Sequence, residues 1–394
     1  MRVLAMSTPN PTHALPMVPL LWALRAAGHE VIFAGQPDVV GTARAAGIPA
    51  VTVGHLFDAY EFFSGLPADR RPIEVGLGGH TPLAEWKNAA VPWVLHAKYL
   101  VDPYLELARQ WRPDLIVSDP LEISSIIVGA LLGVPTVHHR WGLEYLSTAA
   151  LDLARGMLHN RCVRMGLPEG FPGAPTVFLD PLPASLSIPE VTAGRPIRPV
   201  PYNAGGQVPL DLLGPPQRPR ICVTFGTATV RLNGLPLVRH VIDAFDGVDD
   251  LEAVVTVDPA DWDRIGLVPK TVRLVGHTPL VSILPDCTAI LHHAGTGSAL
   301  SALVAGLPQL ILPQISDQAM RAEGLRAAGV AITLDEADQQ NDPDTVRDAL
   351  QRLRTEPSFA EAAAGLRAAI EAMPAPADVA LDLETLALDF RSRR

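Results

Sequence analysis

Twice along these 394 residues, short β-branched runs alternate with alanine- and leucine-rich amphipathic stretches. The first series reads "RVLAM", a helix over 16–27, "EVIFAG", a helix-like segment and "PAVTVG", then resumes with "DLIVSD" (114–119), a helix over 121–132 and "VPTVHH" (134–139). The second reads "RICVTFG" (220–226), a helix near 235–245, "EAVVTV" (252–257), "VRLVG" (272–276), "TAILHH" (288–293), a small-residue helix over 297–305, "QLILP" (309–313) and a helix over 318–328. Strands that alternate with helices are joined by crossovers and pair in parallel. The pattern predicts an α/β protein with two doubly wound parallel-sheet halves.

The stretch "GRPIRPVPYNAGGQVPLDLLGPPQRP" (194–219) between them has neither periodicity, as expected of a linker. The expected division is therefore a first domain over 1–205, a linker over 206–219, a second domain over 220–375 and a terminal helix over 376–394. That helix is apolar at Val379, Leu383, Leu386 and Phe390 and is expected to pack back toward the first domain. The length fits two cores, because single cores stop growing near ~250–300 residues. One stretch, His55 to Tyr104, breaks the rhythm of the first half, and an insertion of that size needs its own packing or a ligand to order it.

A formal net charge of -11 argues against nucleic acid or anionic lipid as partner. Cys162, Cys222 and Cys287 lie far apart in apolar surroundings and suggest neither a disulfide framework nor a zinc site. The N-terminal "MRVLAMSTPNPTHALP" reads as neither a signal peptide nor a spanning helix. The expectation is a cytoplasmic monomer or homodimer that acts on small molecules.

Where "TAILHH" runs through "AGTGS" into the next helix, the chain offers a site for phosphate. A helix start presents unpaired N–H groups and partial positive charge. Gly295 and Gly297 permit close approach, Ser298 adds a hydroxyl and His293 an imidazole N–H. The dinucleotide fingerprint is not met, since its third glycine falls on Leu300. An ordinary strand-to-helix turn with a satisfied histidine is the plainer alternative.

These residues resemble the H-x-G-x-G-[ST] donor signature of GT-B nucleotide-sugar glycosyltransferases, in particular the antibiotic branch that attaches deoxysugars to polyketide and macrolide aglycones. The resemblance extends from "THALPMVPLLWALRAAGHEV" through "RPVPYN" and "VTFGT" to "LPQLILPQISDQ". It implies two Rossmann-like domains facing a central cleft, and a nucleoside diphosphate sugar, thymidine-linked, as co-substrate with no other cofactor and no metal. By position it gives His293, Gly295, Gly297 and Ser298 the diphosphate, Thr227 a further phosphate contact, His277 and Thr278 the base, and Asp317 and Gln318 the sugar hydroxyls. His277 stands where the family usually has an aromatic residue. For Asp317 a helix cap is the alternative.

The first strand-to-helix loop, "STPNPTHALP", has no glycine and carries His13, at the carboxyl end of a parallel strand where ligands of such sheets bind. Imidazole works there as a base near neutral pH, and the resemblance implies that it deprotonates the acceptor hydroxyl. Asp119, ending "DLIVSD", is the candidate carboxylate to orient it, with a helix cap as the alternative. The scheme is an inverting transfer to a hydrophobic aglycone. Phe57, Tyr60, Phe63, Trp86, Trp93 and Trp141 are the candidate acceptor lining, with core packing as the alternative for each. C-glycosylation, a nucleotide-sugar epimerase and a non-catalytic nucleotide-binding protein remain as other readings.

Overall fold

Residues 1–392 are described in the structure, a computed structural model. By internal contacts the described residues form two units, the first of residues 1–59, 82–204 and 372–392, the second of residues 60–81 and 205–371. The excursion of residues 60–81 into the second unit is a grouping that the linear division over 1–205 did not contain.

The first unit is built on seven parallel strands: β1 (Arg2–Met6), β2 (Glu30–Gly35), β3 (Ala50–Thr52), β4 (Leu115–Ser118), β5 (Thr136–His139), β6 (Val177–Asp180) and β7 (Arg195–Pro196). They lie in the order β3-β2-β1-β4-β5-β6-β7. Val3 of β1 stands opposite Val31 on one side and Leu115 on the other. Val3 to Met6 have no exposed surface, because helices cover both faces of the sheet, and the strand accordingly reads as an unbroken apolar run.

The helices of this unit are α1 (Pro11–Ala14), α2 (Val18–Ala26), α3 (Pro37–Ala45), α4 (Trp86–Trp111), α5 (Ser124–Leu132), α6 (Leu146–Met157) and α7 (His159–Met165). Val18, Leu20, Leu21 and Leu24 of α2 pack with Val3, Ala5 and Phe33, each fully buried leucine contributing ~1.5–3 kcal/mol of transfer free energy. The 26-residue α4 fills most of the second half of the inserted stretch, with Pro92 and Pro103 inside it.

In the second unit six parallel strands, β8 (Arg220–Thr224), β9 (Glu252–Thr256), β10 (Val272–Val275), β11 (Ala289–His292), β12 (Gln309–Ile311) and β13 (Ala331–Thr333), take the order β10-β9-β8-β11-β12-β13. Its helices are α8 (Gly226–Thr229), α9 (Leu235–Asp243), α10 (Trp262–Ile265), α11 (Thr296–Ala305), α12 (Ser316–Ala327), α13 (Ala337–Asn341), α14 (Pro343–Thr355) and α15 (Pro357–Glu371). The last helix, α16 (Pro376–Ser392), returns to the first unit, where Val379, Ala380 and Leu383 join the α2 cluster.

Each sheet reverses its strand order once, between β1 and β4 and between β8 and β11. Ligands of doubly wound sheets bind beyond the carboxyl ends of the strands at such a reversal. His13 and Asp119 follow β1 and β4, while Thr227 and His293 follow β8 and β11.

Candidate active site

At the first reversal, His13 sits in the single turn α1, which Asn10 caps by accepting the Thr12 N–H at 3.1 Å. The loop anticipated from the sequence is thus partly helical. Asp119 is fully buried, accepts the Thr8 N–H at 2.6 Å on Oδ2 and the Leu121 N–H at 2.9 Å on Oδ1, and does not cap α5, which begins at Ser124. The imidazole Nδ1 lies 3.8 Å from Asp119 Oδ1, beyond hydrogen-bond reach. Thr8 closes the gap. Its Oγ1 is 2.8 Å from His13 Nδ1 and donates to Asp119 Oδ2 at 3.1 Å. Because the hydroxyl proton goes to the carboxylate, Nδ1 must be the donor toward Thr8, which leaves Nε2 as the lone-pair nitrogen.

Burial raises the Asp119 carboxyl to about 6, against the pull of the Thr8 and Leu121 N–H groups. Beneath it, Glu122 is pushed to about 8, first by burial and then by the Asp119 charge, with a Ser124 hydrogen bond opposing. Of the two carboxyls, Asp119 is therefore the charged one near neutral pH.

Trp141 stacks on the His13 ring, with centroids 4.0 Å apart and planes at 26°, and Trp93 approaches at 5.8 Å. Phe57 lies 6.2 Å from Trp93. These three of the six candidate acceptor residues therefore gather with the histidine. Trp86 is 3% exposed at the head of α4, so it belongs to the interior. Tyr60 and Phe63 group with the second unit, Tyr60 under the Arg231 guanidinium at 4.0 Å. His96, His138 and His139 are buried, with pKa values lowered to about 4, 3 and 4 by desolvation.

At the second reversal, two histidines divide the work. His292 is buried, accepts the Ala294 N–H on Nδ1 at 3.0 Å and so donates Nε2–H to Gln309 Oε1 at 2.9 Å. It shapes the turn, in which Ala294 takes a left-handed φ of 63°. His293 is sandwiched between glycines. A Cβ on Gly295 would fall 2.5 Å from its Nε2, and one on Gly226, which has a φ of 60°, would fall 3.0 Å from its Cε1. The ring is buried, and burial, then His292 and the Arg321 charge, lower its pKa to about 3 against the pull of a hydrogen bond to the Thr224 backbone. A neutral imidazole thus stands beside the unpaired N–H groups of α11, where Gly295 occupies the cap position and offers no side chain.

Arg321 is the cation that the sequence reading missed. It is 4% exposed on α12, donates to the Ala294 carbonyl, lies 3.5 Å from Asp317 and keeps Nε buried and unpartnered. Its spacing of four from Asp317 on a helix was the available signal. Asp317 lies in the first turn of α12, whose cap position is Ile315, while Gln318 accepts the Gln314 N–H at 2.8 Å. Thr227 and His277 are exposed, whereas Thr278 is buried and donates to the Gln207 carbonyl at 3.1 Å. Among the described residues no group of three or more His, Cys, Asp or Glu is placed to hold a metal ion, and no helix is long and apolar enough to cross a membrane.

Comparison with known proteins identifies the class. The Spinosyn Rhamnosyltransferase SpnG matches with a TM-score of 0.85 and 33% identity over 98% of this chain and all of its own, and it has been solved with thymidine diphosphate and with spinosyn aglycone. The protein is a glycosyltransferase of GT-B architecture. The chain belongs to the erythromycin biosynthesis protein CIII-like family, whose N-terminal and C-terminal domains match residues 22–226 and 239–386. Among its relatives, Elloramycin glycosyltransferase ElmGT of Streptomyces olivaceus is 34% identical over 98% of this chain and 97% of its own. Aklavinone 7-beta-L-rhodosaminyltransferase of Streptomyces galilaeus is 36% identical over 100% and 97%.

Proposed function

We propose that the protein moves a deoxysugar from a thymidine diphosphate sugar to a hydroxyl of an apolar polyketide or macrolide aglycone, inverting the anomeric carbon without a metal ion. The reading rests most on the His13–Thr8–Asp119 chain, which fixes an imidazole with Nδ1 protonated and the lone pair on Nε2. Relatives named as an elloramycin glycosyltransferase and an aklavinone rhodosaminyltransferase, and a solved relative with thymidine diphosphate, support the choice of substrates.

In this scheme the acceptor oxygen attacks the anomeric carbon from the face opposite the diphosphate and gives its proton to His13 Nε2. The bond to the diphosphate breaks, and its electron pair leaves on the diphosphate oxygen. The negative charge that develops meets the α11 N-terminus, an N–H of neutral His293 and the field of buried Arg321. Phe57 and Trp93 offer the aglycone an apolar surface beside His13, and Asp317 and Gln318 take the sugar hydroxyls.

The reading is tested by incubating the protein with thymidine diphosphate-rhamnose and a polyketide aglycone, with and without excess chelator. Expected are a product heavier by one sugar, inverted anomeric configuration by NMR coupling, and equal rates in both arms. Absence of glycoside and of nucleotide release across an aglycone panel, retention of configuration, or a chelator loss restored by magnesium would contradict it.

A further inference from the structure

Residues 60–81 leave the first unit after Ala59, rejoin it at Pro82 and pack as part of the second. Two sets of bonds hold them there. In the first, Arg71 is 2% exposed and sends Nη1 to Gln314 Oε1 at 3.0 Å and to Gln340 Oε1 at 2.8 Å, and Nη2 to Asn341 Oδ1 at 2.7 Å. Glu74 supplies the counter-charge at 3.1 Å; burial works against its ionisation, yet the Arg71 N–H and guanidinium and Asn341 hold it below its ordinary range. A guanidinium removed from water needs every lost hydrogen bond replaced, and this one reaches four partners at once through its planar fork.

The set continues along the chain that follows β12. Gln314 donates Nε2–H to Gln340 at 2.8 Å and its backbone N–H to Gln318 Oε1 at 2.8 Å. Ser316 Oγ donates to the Leu77 carbonyl at 3.1 Å. Gly78 lies so close that a Cβ there would stand 2.9 Å from the Gln314 carbonyl oxygen and 2.7 Å from Ile73 Cβ.

The second set lies beyond α8. Asn233, in left-handed backbone with φ 63°, donates Nδ2–H to the carbonyls of Pro67 at 2.9 Å and Arg70 at 2.8 Å. Two residues earlier, Arg231 covers the Tyr60 ring. The excursion therefore spans from the segment that follows Thr227 to the connection that leads into α12, whose first turn carries Asp317 and Gln318.

We infer that residues 60–81 are a specificity segment for the sugar of the donor, with Arg71 as the positioning residue that fixes Gln314 and, through it, Gln318. This rests on the proposed assignment of Asp317 and Gln318 to the sugar hydroxyls. The bonds named above end on 231–233, 314–316 and 340–341, all outside the 293–298 turn that grips the diphosphate. Loosening the segment therefore costs affinity for the sugar and spares the nucleotide.

The test titrates thymidine diphosphate and thymidine diphosphate-glucose separately against wild type, Arg71→Lys and Gly78→Ala. Lysine keeps the charge and loses the fork, while alanine pushes directly on the Gln314 carbonyl. The ratio of the two Kd values, sugar nucleotide over nucleotide, is expected to rise about tenfold in both variants, the effect of about one charge-assisted hydrogen bond. A ratio equal to that of wild type, or parallel weakening of both ligands, overturns the inference. Where Arg71→Lys fails to fold, Gly78→Ala and Ser316→Ala, which removes the Leu77 bond, carry the same expectation. His293→Ala separates the two readings: it should weaken both ligands together, and unaltered binding of both would sink the donor assignment whatever Arg71 does.

Discussion

The single proton on the Thr8 hydroxyl decides which nitrogen of His13 is basic, so the hydroxyl is expected to matter beyond its packing volume. Thr8→Val should lower kcat by about 10- to 100-fold, part of the ~10²–10⁴ that a positioned base supplies, while Thr8→Ser restores most of it. Nucleotide affinity should stay constant across the pair. Steady-state rates equal to wild type in Thr8→Val would mean that the tautomer is set elsewhere. Glu122 offers a prediction of the opposite kind, in stability. Its folded pKa is raised to about 8 from an ordinary 4.5, so the folded chain keeps a proton that the unfolded chain releases. The resulting stability is whole below about 4.5 and is lost as pH rises through about 8. The buried histidines whose values burial lowers act only below their ordinary 6.5, so they do not offset Glu122 between 6.5 and 8. Wild-type Tm should fall across that window and that of Glu122→Gln should not; parallel curves in scanning calorimetry would refute the buried neutral acid.

Among the elements, the β11–α11 turn depends most on the absence of side chains. Gly295→Ala would drive a methyl group into the His293 ring. It is expected to weaken thymidine diphosphate at least tenfold, about 1.4 kcal/mol, with little change in far-UV circular dichroism. Full retention of nucleotide affinity would show that the ring is free to move. This turn was legible in the sequence, because strand, glycines and helix are contiguous and the chemistry is local. So were the strands whose bounds fell within a residue or two of "EVIFAG", "DLIVSD" and "EAVVTV". The helix α4 was not, because Pro92 and Pro103 punctuate an otherwise helical 26 residues, each removing one backbone donor without ending the helix. Thr8 was missed for a different reason: its role comes from hydrogen-bond direction between two neighbouring strand ends, which linear spacing does not encode, whereas the spacing of Arg321 from Asp317 was a signal left unused.

On the scale of the whole molecule, the chain passes between its two units four times, near residues 59, 81, 204 and 371; the third passage had a compositional signature, the last was read from the apolar spacing of the terminal helix, and the first two had neither. The fold class followed from alternation alone, whereas the excursion of 60–81 could not, since Arg71 and Gln314 are 243 positions apart. The last passage delivers α16, whose Val379, Ala380 and Leu383 are 4%, 1% and 1% exposed in the α2 cluster. Ending the chain at residue 371 should remove at least ~3 kcal/mol of apolar burial and lower Tm by about 6–12 °C; an unchanged melting curve would show that the helix is dispensable to the first unit. The account as a whole is tested most directly by His13→Ala, with glycoside formation and thymidine diphosphate affinity measured on the same preparation. It predicts transfer reduced by about 10²–10⁴ with the nucleotide Kd within twofold of wild type, and transfer at the wild-type rate would contradict it.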